Sequence, residues 1–243
     1  MRIIAPCVNC AEEQKTPDAS KLQILIGELD ETGVVYLDCP KGHKSAVMYD
    51  ARRYEVLLRS GGKALLQGYA NESVASLSAA LERAYEFYVR VVCRFKRIRQ
   101  EEIDKAWKTV GSQSERQLGA FNFVFLLQEN SAIKLDPKIP EIRNKIVHKG
   151  RIAKERDALE FGELVFKRIR RIEKAMASYS EAVDEESKHE LAVQEKSIPK
   201  NMRFARLKVT SVVIDGENKV VGFPERFSDY LVALRQSMEK GLG

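Results

Sequence analysis

No stretch of this sequence stays apolar for long. Spanning a bilayer takes about 20 consecutive apolar residues, and the nearest approach is "AFNFVFLL", residues 120–127. The apolar part of the N-terminus, "MRIIAPCVNC", is too short for a secretory signal. Both shortages lead to the expectation of a cytoplasmic protein with no membrane partner. Cysteine is scarce too, with 4 in 243 residues. In a reducing compartment these are expected as thiols, which favours metal ligation over disulfides. Histidine is scarcer still, at 3, so each one asks for a role. No internal repeat is visible, which excludes a repeat architecture.

Net charge is also modest, with Lys+Arg 41 against Asp+Glu 35. Placement therefore matters more than total, because clustered cations attract polyanions while scattered ones only confer solubility. Three clusters stand out: Arg90, Arg94, Lys96, Arg97 and Arg99; Lys167, Arg168, Arg170 and Arg171; and Lys145, Lys149 and Arg151. Each reads either as a solvated helix face or as part of a nucleic-acid footprint.

The pattern divides the chain into three segments. Residues 1–50 read as β structure, with "LQILIGEL" and "VVYLD" flanking a "DETG" hairpin turn and a third short strand at "SAVMY". Residues 51–198 read as helices. "ARRYEVLLRS" is a short helix broken or bent at Gly61-Gly62, and a long helix runs from about Lys63 or Asn71 to Thr109. Its residues Val74, Leu77, Leu81, Ala84, Tyr85, Tyr88, Val91 and Val92 recur at three and four and mark one buried face. "GSQSE" breaks the chain before a second bundle helix, "RQLGAFNFVFLLQEN". After a loop with Pro137 and Pro140 and a short helix ending near Gly150, residues 152–196 could form one long helix with an almost wholly polar far end, projecting into solvent or meeting another chain. Residues 199–243 read as a hairpin around Gly216 followed by an amphipathic helix. The expected class is mainly α, a helical bundle with a small N-terminal β module and a short C-terminal hairpin plus helix.

Two cysteine-containing pairs bracket the first hairpin. Cys7-x2-Cys10 and Cys39-x3-His43 have the spacing of a zinc ribbon, in which two close ligand pairs complete a tetrahedron. Proline after Cys39 and glycine before His43 suit the tight turn such a knuckle needs. With all four positions filled by protein, the Zn²⁺ would be structural. The plain alternative is buried cysteines and an incidental histidine. Cys93 reads as a small core residue.

The segment "EIRNKIVHKG", residues 141–150, concentrates unusual chemistry. On a helical wheel of about 100° per residue, Ile142 and Ile146 form the apolar face. Arg143, Val147, Asn144 and His148 spread over an opposite arc of about 140°. This argues against a core histidine, and Val147 amid the polar arc argues for a covering surface such as a cleft or a partner subunit. Asn144 and His148 stand one turn apart. With Arg143 they combine a proton-transfer group, a permanent forked cation and an orienting amide.

"RNKIVHKG" resembles the Arg-x4-6-His signature of the HEPN superfamily in its RNxxxHxG form, and residues 63–180 resemble the bundle that carries it. The resemblance implies an endoribonuclease needing no catalytic metal, acting as a homodimer whose two motifs share a cleft. Its settings would be toxin–antitoxin, antiphage defence or RNA-processing systems, where a regulatory or antitoxin protein is a further expected partner. It further implies Arg143, Asn144 and His148 as catalytic residues, with Glu82 or Glu86 in support; the basic cluster around the motif, Lys145, Lys149 and Arg151, is expected to hold the RNA. The branch paired with nucleotidyltransferase antitoxins carries tyrosine three residues after the histidine; Arg151 stands there in this chain. The alternatives are an RNA-binding or sensing module that has lost turnover, and a dimerisation scaffold.

Overall fold

Apolar residues spaced at three and four along residues 70–95 bury one whole face of a long helix, and the other helices gather on that face. The computed structural model describes residues 1–14, 22–208, 213–214, 220–222 and 224–239. The elements begin with β1 (Arg2–Pro6), α1 (Val8–Glu12), β2 (Ile24–Glu28), β3 (Val34–Asp38) and β4 (Lys44–Asp50). Helices α2 (Arg53–Leu66), α3 (Ala70–Phe95), α4 (Gln100–Val110), α5 (Ser114–Glu129) and α6 (Lys138–Arg143) follow. A π turn (Asn144–His148) leads to α7 (Glu155–Met176), a 3-10 turn (Ala177–Tyr179) and α8 (Ser180–Ser197). The chain ends with β5 (Arg203–Lys208), β6 (Val213–Ile214), β7 (Val220–Gly222) and α9 (Phe227–Glu239). The protein is mainly helical, and among the described residues no helix is long and apolar enough to cross a membrane.

Contacts divide the chain into two compact units: residues 1–52, 188–211 and 236–243, and residues 53–187 and 212–235. The first segment read from the sequence thus falls in the first unit. Most of the second falls in the other, and the C-terminal segment is divided between both.

In the first unit the pairing departs from the hairpin expected at "DETG". The chain does turn there: Asp30 Oδ1 accepts the backbone N–H groups of Thr32 and Val34, each at 2.9 Å, and Gly33 has φ +89°. Beyond it, however, the two strands share one isolated bridge, Leu29 with Val35. β2 pairs instead with β1, and β3 with β4, both antiparallel. Residues 204–208 were expected in a C-terminal hairpin, yet β5 lies parallel to β4. The reason is burial: β4 is covered over Ser45–Tyr49, and a buried strand needs ladder partners on both edges. The C-terminal hairpin survives as the short β6–β7 pair, while its turn at Gly216 lies outside the described residues. The far end of α8 is not a projection. Leu191 packs with Ile198 on Val34, Ala46 and Met48, and Tyr36 Oη donates to the Ser197 carbonyl at 3.2 Å.

In the second unit α3 packs against α2, α5 and α7. All the residues assigned above to its apolar face are buried. The helix stops fourteen residues before Thr109, and Arg97 is where it turns. With φ 58°, Arg97 donates its N–H to the Arg94 carbonyl and Ile98 donates to Cys93, the paired bonds of a Schellman cap. Glycine usually occupies that position, so an arginine there leaves no mark in the sequence. Gly61 and Gly62 have the opposite effect from the break expected of them. They lie buried inside a continuous α2, where a Cβ at Gly61 would meet Leu77 Cγ at 2.7 Å and one at Gly62 would meet Leu234 Cδ2 at 2.8 Å. They are contact points for α3 and α9. The long helix expected over 152–196 is parted at the 3-10 turn into α7 and α8.

Gly162 plays the same part on α7, where an added Cβ would overlap the Phe227 ring. Alanine has the better helix propensity by about 1 kcal/mol, so in an open helix Gly162→Ala would stabilise. Here overpacking should win, and the variant is expected to be destabilised by about 1–3 kcal/mol in urea unfolding. A gain in stability would show that α9 does not press on this site.

Candidate functional site

Two places gather chemically capable side chains, one in each unit. In the first, Cys39 follows β3 and His43 precedes β4, just past the last register pair Asp38–Lys44. The knuckle closes with Cys39 N–H donated to the His43 carbonyl at 2.9 Å and Gly42 N–H donated to the Cys39 carbonyl at 2.8 Å, with Gly42 at φ +86°. The left-handed φ is why glycine suits this position. The other pair sits on a short helix: Cys7 precedes α1, Cys10 lies within it, and Cys7 N–H donates to the Gln23 carbonyl at 2.8 Å.

The four ligand atoms lie within 4.8 Å of one another. Cys10 Sγ is 3.8 Å from Cys39 Sγ, and His43 Nδ1 is 3.4 Å from Cys10 Sγ and 3.7 Å from Cys7 Sγ. A tetrahedron with Zn–S of about 2.3 Å and Zn–N of about 2.0 Å has S···S edges of about 3.8 Å and S···N edges of about 3.5 Å. The cluster therefore fits a tetrahedral metal ion such as zinc. Glu13 Oε1, 3.3 Å from His43 Nε2, supplies the outer carboxylate that metal-bound histidines commonly carry, leaving Nδ1 for the ion. Glu13 was missed in the sequence; its place three residues after Cys10 was the available signal. Burial pushes the Cys10 thiol up to about 11, whereas the Lys41 backbone N–H holds Cys39 below its ordinary value. A bound cation would displace the Cys10 proton, so affinity should rise with pH.

The second place is the Arg-Asn-His segment. Pro137 caps α6, and Pro140 falls within its first turn, where no backbone N–H is needed, so it belongs to the helix and not to the preceding loop. After Arg143 the helix widens. Lys149 N–H bonds to the Asn144 carbonyl, five residues back, at 3.0 Å. Such π bulges are rare and recur at functional sites. The 100° wheel therefore does not hold over Asn144–His148, although Ile146 is buried as it placed it.

Arg143 turns toward the bundle. Its Nη2 donates to Ser114 Oγ at 2.7 Å and to Glu82 Oε1 at 3.2 Å, leaving its side chain 19% exposed. Of the two supporting acids, Glu82 is thus beside Arg143, whereas Glu86 is engaged by Arg83 at 2.6 Å and Arg90 at 3.0 Å. Ser114 reads in sequence only as a helix-start residue. Asn144, His148 and Lys149 are exposed, and Val147 is 42% exposed. Lys145 pairs with Glu141 at 2.6 Å and Arg151 with Asp157 at 3.2 Å. Asn71, at the start of α3, clamps the chain beyond Gly150: its Nδ2 donates to the Arg151 carbonyl at 3.2 Å and its Oδ1 accepts from Ala153 N–H at 2.8 Å.

The first basic run is largely consumed within the unit. Arg90 pairs with Glu86 and Asp104, Arg94 with the buried Glu186 at 2.8 Å, Arg97 with Glu181 and Glu185, and Arg99 with Glu102. No family model, curated protein or solved structure matches the chain.

The purified protein is expected to bind about one metal ion per chain, with Cys39→Ser abolishing the bound ion in elemental analysis. Glu13→Gln should weaken binding by about 10–100-fold in chelator competition, the usual cost of losing an outer partner. Full metal content in Cys39→Ser would show that the cluster is not the site.

Proposed function

We propose that the chain is a HEPN-type endoribonuclease, working as a homodimer and cutting RNA through the RNA's own 2′-hydroxyl, and that its Cys7–Cys10–Cys39–His43 cluster holds a structural Zn²⁺. One observation carries the reading: Arg143 is anchored through Nη2 alone by Glu82 and Ser114, while His148, one π turn later, is exposed. An arginine held at one corner keeps its remaining N–H groups for a phosphate in a fixed direction.

The reaction begins when one His148 removes the proton from the 2′-hydroxyl, whose oxygen attacks the adjacent phosphorus. Arg143 stabilises the charge that builds on the phosphoryl oxygens. The bond to the 5′-oxygen breaks, and an imidazolium, that of the partner copy or the same residue, returns a proton to it. The products are a 2′,3′-cyclic phosphate and a 5′-hydroxyl. Asn144 orients the imidazole or the phosphate, and Lys145, Lys149 and Arg151 hold the strand. Exposed apolar side chains near this surface, Val147 at 42% and Ile152 at 84%, favour a covering second copy. In a cell the activity fits a toxin or antiphage effector held in check by a regulatory protein.

A second reading rests on a specific contact. The Glu82 carboxylate 3.2 Å from Arg143 offsets part of its charge, which suits a module that binds RNA without cutting it.

In buffer with a chelator, the protein should cut single-stranded RNA and leave cyclic phosphate ends, and should spare a substrate lacking the 2′-hydroxyl at the cut site. His148→Ala should lower the rate by about 10²–10⁴-fold with the melting temperature unchanged. Equal cutting of both substrates rejects the chemistry; salt-sensitive RNA binding without cleavage selects the second reading.

A further inference from the structure

A cavity of about 880 Å³ opens in the helical unit, walled by the segment before α6, by α7 and by the residues leading into α9. Its volume falls within the range of small-molecule sites, about 300–1,000 Å³. Arg143, Asn144 and His148 take no part in its wall.

The charges on this wall are segregated. Its acids are occupied: Glu163 accepts the N–H groups of Phe227 and Ser228 at 3.0 and 2.9 Å, Glu225 pairs with Lys174 at 3.2 Å, and Asp136 accepts the Lys138 N–H at 3.0 Å. Three of its cations, Arg170, Lys174 and Arg226, are paired with carboxylates. Among the described residues, Lys134, Lys167, Arg168 and Arg171 form no ion pair. Arg168 is the telling one. It is 6% exposed, its Nη2 donates to the Lys134 carbonyl, and its Nη1 is buried with no hydrogen-bond partner among the described residues. A buried guanidinium is costly when its donors are unmet, and folds retain such a group when something else completes it. Two exposed cations from the same helix, Lys167 and Arg171, stand on the wall beside it. Leu135, Ile139 and Leu164 give the cavity an apolar side.

We propose that this cavity binds a phosphate monoester with an apolar body, its phosphate held by Lys167 and Arg171 and met by Arg168 Nη1 on a small turn of the guanidinium, and its body lying against Leu135 and Leu164. A dianionic phosphate matches several converging donors, and the arginine fork suits its geometry. A terminal phosphate also suits these donors in charge: it is esterified on one side only and carries close to two negative charges, whereas a phosphodiester inside a strand carries one. The site stands apart from the ribonuclease reading and does not rest on it.

Titration of the full chain in a calorimeter with phenyl phosphate, inorganic phosphate and an RNA oligonucleotide lacking terminal phosphate tests this. Phenyl phosphate should bind once per chain, and inorganic phosphate at least about tenfold more weakly for want of apolar contact. The double variant Lys167→Ala/Arg171→Ala changes only exposed side chains; it should keep its melting temperature and lose at least about tenfold in phenyl phosphate affinity. Arg168→Met should abolish binding where it folds, and His148→Ala should bind as the parent does. No binding of phenyl phosphate at millimolar concentration would overturn the proposal. So would undiminished binding by the double variant, equal affinity for inorganic phosphate, or displacement of bound phenyl phosphate by the RNA.

Discussion

The burial of α3 is the constraint on which the helical unit depends. Val74, Leu77, Ala80, Tyr88 and Val91 have no measurable exposure, so the helix must be covered along its length by α2, α5 and α7. Covering a long helix closely requires small residues at the crossings, and Gly61 on α2 meets that need. The same helix carries Glu82 and Asn71 on its less buried side, and these two hold the Arg-Asn-His segment at Arg143 and at Ala153. Packing and candidate chemistry are therefore linked through one element: whatever shifts α3 shifts the arginine.

Much of this was legible in the chain itself. The three-and-four spacing of α3 identified its buried face, because burial on one side of a helix can arise from few other patterns. The pairs Cys7–Cys10 and Cys39–His43 were legible for a similar reason: tetrahedral ligation restricts both residue type and spacing. The structure brings all four together. What was illegible is equally specific. Arg97 adopts a conformation that glycine usually marks, so the end of α3 is hidden; Gly61 and Gly62 carry the opposite ambiguity, since glycine signals a break and a close approach alike. The π turn at Asn144–His148 is an insertion in hydrogen bonding, not in composition, and no residue type announces it. The partner of β4 was hidden by distance, because parallel pairing joins strands more than 150 residues apart in the chain.

The basic runs show why composition is a weak guide to partners. Three runs look alike in sequence, yet they meet different fates. The run on α3 and beyond is absorbed, apart from Lys96, by carboxylates of α3, α4 and α8, down to the buried Arg94–Glu186 pair. The run on α7 is divided, with Arg170 beside Glu173 at 2.6 Å and Arg168 left with an unmet donor. The run beside the Arg-Asn-His segment stays exposed, with Lys145 and Arg151 paired to nearby Glu141 and Asp157. Local acid content decides among these outcomes, and acids distant in sequence are invisible to a reading of runs.

The β unit poses a different physical problem. Its strands are short, and its apolar cluster of Val34, Ala46, Met48 and Ile198 is separate from the cysteine cluster, against which Leu25 packs. Small modules of this kind commonly depend on a metal to hold distant turns together. The geometry agrees with that dependence at each step: the β3–β4 knuckle presents one pair, α1 presents the other, and the Cys7 N–H bond to Gln23 ties α1 to the start of β2. Without a cation three buried sulfurs and an imidazole would crowd together, with the Lys41 N–H on Cys39 and Glu13 on His43 as their outer contacts. Such an arrangement has little reason to persist unless an ion binds it, which makes the cluster's compactness the best argument for the metal.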